Sequence, residues 1–177
     1  MNKPKFVETW TDKEKKLYDI APEFFDVPEN WPIQFGFSHG AGWEPLVTTL
    51  IEFIAYKAKR WQEVADIKEK AIKDGEDYTQ WSDDWITKYL EENSTDPMKN
   101  FRIMQVKEKM GGLRFYVTGL PYASNVGREV AGAIEFASNM SYSTCEFCGA
   151  TQNVTTEGPG WIRSLCKPCR AKTDIKK

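Results

Sequence analysis

Two Cys-x-x-Cys pairs, Cys145-Glu-Phe-Cys148 and Cys166-Lys-Pro-Cys169, constrain this chain more than any other feature. Seventeen residues, Gly149 to Leu165, separate the pairs, the interval of zinc sites built from two such pairs. Two residues between cysteines allow a tight turn that aims both sulfurs at one point. Two such turns supply the four corners of a tetrahedron. Gly149 suits the backbone bend of a knuckle. Cys145, Cys148, Cys166 and Cys169 are therefore assigned to one structural Zn²⁺, and four protein ligands leave no open position for catalysis. Two disulfides, a redox pair and a rubredoxin-like iron site are the alternatives. The paired spacing favours metal, as does the expected reducing location: the N-terminal MNKPKFVETW has no signal-peptide core, and no apolar run reaches a membrane span. The expectation is a cytoplasmic protein with no membrane contact.

Upstream of the cysteines, the pattern is that of an α+β domain over 1–140, with helices packed on a small antiparallel β-sheet. A C-terminal zinc-ribbon module over 141–177 follows. Residues 1–30 read as an N-terminal arm with one short helix capped by Thr11, anchored by Leu17, Tyr18, Phe24 and Phe25. A long helix starts near Glu44, with Pro45 in its first turn and Gly75 as its stop. Leu46, Leu50, Ile54, Ala58, Trp61 and Ala65 recur along it at helical spacing. The stretch 69–100 reads as a helical insertion, with a helix at Trp81–Glu92 carrying the aromatic stripe Trp81, Trp85 and Tyr89. Phe101–Lys109 and Leu113–Thr118 read as two strands of a hairpin that turns at Gly111-Gly112, with positive φ expected at Gly112. Ser124 caps a third helix carrying Val126, Val130, Ile134 and Ala137.

Charge argues against a general nucleic-acid binder. The chain is −2 overall. From Ser141 onward six basic residues (Arg163, Lys167, Arg170, Lys172, Lys176, Lys177) face three acidic ones (Glu146, Glu157, Asp174). Four thiolates around one Zn²⁺ offset most of that excess, so nucleic acid is a possible but not a favoured partner.

Three further constellations carry chemistry. His39, the one histidine, lies in the bend Phe37-Ser38-His39-Gly40-Ala41-Gly42-Trp43. It admits two readings, a catalytic base or anion-binding turn, and a loop that fixes how strand meets helix. The hairpin places Leu113, Phe115 and Val117 on one face and Arg114 and Tyr116 on the other. If the former face the core, Lys107, Lys109, Arg114 and Tyr116 are offered to a partner or a phosphate-bearing ligand, unless a helix or the ribbon covers them. Trp161, just before the second knuckle, is expected to pack on the ribbon and cover the metal.

Three separated segments together resemble a widespread group of uncharacterised small proteins of bacteriophages and prophages. They are Gly40-Ala-Gly-Trp43 with Leu46; Gln105-Val-Lys-Glu-Lys109 through Gly112-Leu-Arg-Phe-Tyr116; and Thr144-Cys-Glu-Phe-Cys-Gly149 with Gly160-Trp-Ile162 and Leu165-Cys166. The resemblance spans Phe35 to Cys169 apart from the insertion. It carries no activity to transfer. Members of the group commonly read Cys-Gly-Asp-Gly-Trp in the first segment, where this chain has His39 and Ala41 at the Cys and Asp positions. Were that segment catalytic elsewhere, its acid is missing here. The resemblance implies a phage accessory protein in the host cytoplasm. The expected function is non-enzymatic binding of a host protein or small signalling nucleotide, for host takeover or anti-defence. The alternatives are a nucleotide- or nucleic-acid-cleaving enzyme using His39 with Glu44 or Glu108, and a DNA-binding zinc-ribbon regulator.

Overall fold

The computed structural model describes residues 3–28, 30–76 and 96–174. Among them are four α-helices and two two-stranded antiparallel sheets. In chain order they are α1 (Asp12–Ile20), α2 (Glu44–Asp74), β1 (Arg102–Lys109), β2 (Gly112–Thr118), α3 (Asn125–Tyr142), β3 (Val154–Glu157), β4 (Arg163–Cys166) and α4 (Lys167–Asp174). The class is α+β, with the cysteine module at its C-terminal end. The expected helix at Trp81–Glu92 and its stripe of Trp81, Trp85 and Tyr89 lie outside the described residues.

The N-terminal arm is part of the core. Thr11 and Glu14 form a capping box at α1, with Thr11 N donating to Glu14 Oε2 at 2.8 Å. The other carboxylate oxygen accepts from Phe37 N at 2.7 Å, which ties the arm to the loop before α2. Burial pushes the Glu14 carboxyl up, but the Phe37 and Thr11 donors outweigh it and hold it below its ordinary value. Val7, Trp10, Leu17, Phe24 and Phe25 then pack with α2 and the hairpin in one cluster.

α2 begins at Glu44 with Pro45 in its first turn and ends on Gly75 in the left-handed conformation. Its buried stripe is Val47, Leu50, Ile51 and Ile54. Leu46 and Ala58, expected on that stripe, pack at its edge instead. The helix is therefore rotated slightly from the periodicity expected.

The hairpin turns one residue earlier than expected. Lys109 pairs with Gly112, and the two loop residues Met110 and Gly111 have φ of 54° and 77°. Positive φ at both loop positions is the type I′ turn that matches strand twist. Gly112 belongs to β2 and is needed for a different reason: a Cβ there would lie 2.4 Å from the Tyr142 ring.

Both edges of this narrow sheet are covered, as an exposed edge is open to unwanted pairing. Along β1, Ser38 N donates to Val106 O at 2.9 Å and Glu108 N donates to Ser38 O at 2.8 Å. Along β2, α3 supplies hydroxyls. Leu113 N donates to Ser141 Oγ at 2.8 Å, and Ser138 Oγ donates to Leu113 O at 2.8 Å. Ser124 caps α3, accepting from Gly127 N at 2.9 Å.

Candidate metal centre

The end of α3 delivers the chain directly into the first knuckle. Cys145 N donates to Ala150 O at 2.8 Å and Gly149 N to Cys145 O at 2.9 Å. Gly149 makes the bend with φ of 76°. The second pair straddles a strand end and a helix start: β4 closes on Cys166, and Cys169 lies in the first turn of α4. Pairing of Val154 with Cys166 fixes that end of the ribbon.

The four sulfurs converge. All lie within 4.8 Å of one another, and Cys148 and Cys166 are 3.6 Å apart. A tetrahedron of thiolates at about 2.3 Å from a metal has edges of about 3.8 Å, whereas a disulfide needs about 2.05 Å. The cysteines are free thiols placed to hold one metal ion. Burial pushes the Cys145 thiol up, but backbone donors at Cys166, Cys148 and Phe147 prevail and bring it down to about 7. Cys169 is pushed up to about 12, first by burial and then by the three neighbouring sulfurs. Four thiols this close cannot all ionise unaided, and a bound dication is what would allow it.

The first knuckle is seated on the bend before α2. Gly42 N donates to Glu146 O at 2.7 Å, and the Trp43 indole N–H donates to Thr144 O at 2.8 Å. Trp43 is fully buried. Contact is backbone on backbone: a Cβ at Gly42 would lie 2.1 Å from Cys145 O and 2.4 Å from Gly149 N. Gly40 is crowded in the same way by Glu146 O. The ribbon also grips the hairpin turn, with Ser164 Oγ donating to Gly111 O at 2.6 Å and Glu146 N to Ser164 O at 2.9 Å. The three segments singled out in the sequence thus meet at one place.

His39 lies at this junction. One ring nitrogen (Nδ1) is 3.0 Å from Gly40 O. The other is buried with no partner among the described residues. Burial lowers its pKa below 6.5, against the Gly40 contact and the charges of Glu44 and Glu14. Neither carboxylate named with it is poised to use it. Glu44 binds Lys13 at 2.9 Å. The two oxygens of Glu108 accept from Gly111 N at 2.7 Å and from the Trp161 indole at 3.0 Å.

Trp161 departs from expectation. It does not cover the metal: its side chain is 66% exposed. The small ribbon core is formed by Cys145, Leu165, Cys166 and Cys169, with Ala150 and Val154 packed against it, and the indole is not part of it. The ring instead lies 5.2 Å from the Arg163 guanidinium, which also stacks on Phe147 at 5.2 Å. Arg163 Nε is buried without a hydrogen-bond partner among the described residues. Phe147 and Ile162 are exposed beside it, and Met110 is exposed at the hairpin turn. Sequence reasoning missed Arg163 and Phe147; the one available signal was that Trp161 and Arg163, two apart at a strand start, project to the same side.

Arg114 does lie opposite Leu113 and Phe115, but α3 partly covers it. Its guanidinium donates to Tyr142 Oη at 2.9 Å, to Ser138 Oγ at 3.3 Å and to Leu113 O at 3.2 Å. Tyr116 remains 40% exposed, with Lys107 5.5 Å from its ring centre, and Lys109 is exposed at the end of β1.

Comparison with protein-family models, curated proteins and solved structures finds no match to the chain. No helix among the described residues is long and apolar enough to cross a membrane.

Proposed function

We propose that this is a zinc-binding, non-enzymatic phage accessory protein that acts in the host cytoplasm by binding a host protein, in host takeover or counter-defence. Trp161 carries the reading. A large ring two thirds exposed, yet pinned by Glu108 and stacked on Arg163, contributes little to the core. Tryptophan and arginine dominate the hot spots of protein interfaces, and a ring fixed in advance loses little freedom on binding. Phe147 and Ile162 extend the apolar surface around it.

The charges on this face choose among partners. Arg170 is paired with Glu157 and the carboxylate of Glu108 holds the indole, so a polyanion gains little there. A protein offering an apolar anchor beside one acidic side chain suits it better. Zinc is favoured over iron because a closed four-thiolate site in a short ribbon is the usual structural zinc arrangement. The phage assignment rests on the three resembling segments, and their meeting at the knuckle gives them a shared structural purpose. A His39-dependent enzyme is disfavoured because Glu44 and Glu108 are already engaged.

The test is site-specific photo-crosslinking in host cells, with a benzophenone amino acid replacing Ile162. One discrete protein adduct is expected, and it should vanish when Trp161→Ala is added while zinc content and melting temperature stay unchanged. A diffuse ladder of adducts, or an adduct indifferent to Trp161, would contradict the reading.

A further inference from the structure

We propose that the cleft between β2 and α3 is a binding site for a flat-ringed phosphate monoester of nucleoside-monophosphate size. The cleft has a volume of about 360 Å³, within the range of about 300–1,000 Å³ typical of small-molecule sites. It shares no residue with the Trp161 face, so the two proposals stand or fall separately.

Two lining residues carry opposite charge. Arg114 is one, held by Tyr142, Ser138 and Leu113 O. Those three acceptors are neutral, and no carboxylate among the described residues forms an ion pair with it. A fixed guanidinium with no ion-pair partner is a ready oxyanion clamp.

Glu135 is the other. Residues 135, 138, 139 and 142 share one face of α3 by their spacing, which makes Glu135 a neighbour of the serine that touches Arg114. Glu135 is exposed and forms no ion pair among the described residues. It is an acceptor for a ligand hydroxyl or amino group. Val117, Leu120 and Ile134 add apolar surface to the lining.

The rim explains why the body should be flat. Tyr116 and Tyr122 line the cleft and are 40% and 67% exposed. Phenol rings stack with any base through its π-face. An oxyanion for Arg114, a hydroxyl or amino donor for Glu135 and a planar body for the tyrosine rim are the features of a nucleoside monophosphate.

The experiment is calorimetric titration of the zinc-loaded full chain with the four common nucleoside 5′-monophosphates. The matching nucleosides, inorganic phosphate and 4-hydroxyphenylacetate are the comparison probes. At least one monophosphate should bind, with its nucleoside and inorganic phosphate at least tenfold weaker. Arg114→Lys should lower the affinity at least tenfold. Because Arg114 also braces α3, a second variant, Ile134→Trp, fills the cleft from the helix side and should abolish binding. Trp161→Ala should leave binding intact. The proposal is overturned if no monophosphate binds at millimolar concentration, if nucleoside and nucleotide bind equally, if Ile134→Trp binds normally, or if only the carboxylate probe binds.

Discussion

Gly42→Ala adds a single methyl group where the bend before α2 meets the first knuckle. Its Cβ would lie 2.1 Å from Cys145 O, 2.4 Å from Gly149 N and 2.8 Å from Cys148 N. All three are backbone atoms of the metal loop, so no side-chain rotation relieves the clash. Bend and knuckle must separate. Separation stretches the hydrogen bonds from Gly42 N to Glu146 O and from the Trp43 indole to Thr144 O, at 2.7 and 2.8 Å. Losing a buried hydrogen bond costs roughly 1–3 kcal/mol when a partner is left unsatisfied. Two such losses give about 2–6 kcal/mol, a fall in Tm of roughly 4–24 °C for a chain this size. Gly132→Ala is the control: nothing lies within 4 Å of a Cβ there, and alanine in a helix interior gains up to about 1 kcal/mol over glycine. Thermal unfolding of the two zinc-loaded variants should therefore shift in opposite directions. Gly42→Ala should also release metal to a chromogenic chelator faster than wild type. A Gly42→Ala protein with wild-type Tm and metal release would refute the claim that the bend is the seat of the knuckle.

Gly112→Ala should destabilise by about 1–3 kcal/mol through overpacking against Tyr142. On a Tyr142→Ala background the same substitution should cost far less; equal costs in denaturant unfolding would place the clash elsewhere. For His39, burial lowers the folded-state pKa below 6.5, so the neutral form stabilises the fold above pH 6.5. That contribution is lost as pH falls through the lower folded value. His39→Gln should flatten the acid limb of the stability profile below pH 6.5, and an unchanged slope would show that His39 does not titrate with folding.

The parts of this fold legible in the sequence are those fixed by local chemistry. Thr11 with Glu14, Ser124 before its helix, Pro45 and Gly75 at the ends of α2 and the two cysteine pairs each act within a few residues. Gly111 revealed the hairpin, although the turn register was misjudged because glycine stands at two adjacent positions for two different reasons. The long-range part was not legible. Gly42 gives no sign in sequence that its neighbour is a knuckle, and Trp43 finds its acceptor 101 positions away. Alternation rightly put Arg114 opposite Leu113, but strand periodicity cannot say that α3 closes the β2 edge over it. The expectation for Trp161 fails for a long-range reason as well: the indole is held by Glu108, 53 positions away, and stacks on Arg163 rather than joining the ribbon core.

One metal ion is expected to clamp the ribbon against the hairpin and the bend before α2. Elemental analysis of the purified chain, paired with thiol titration before and after chelation, tests it directly. One zinc per chain is expected, with four thiols that react only after the metal is stripped and a loss of ribbon structure on stripping. Four freely reactive thiols without metal, two disulfides, or stoichiometric iron would contradict it.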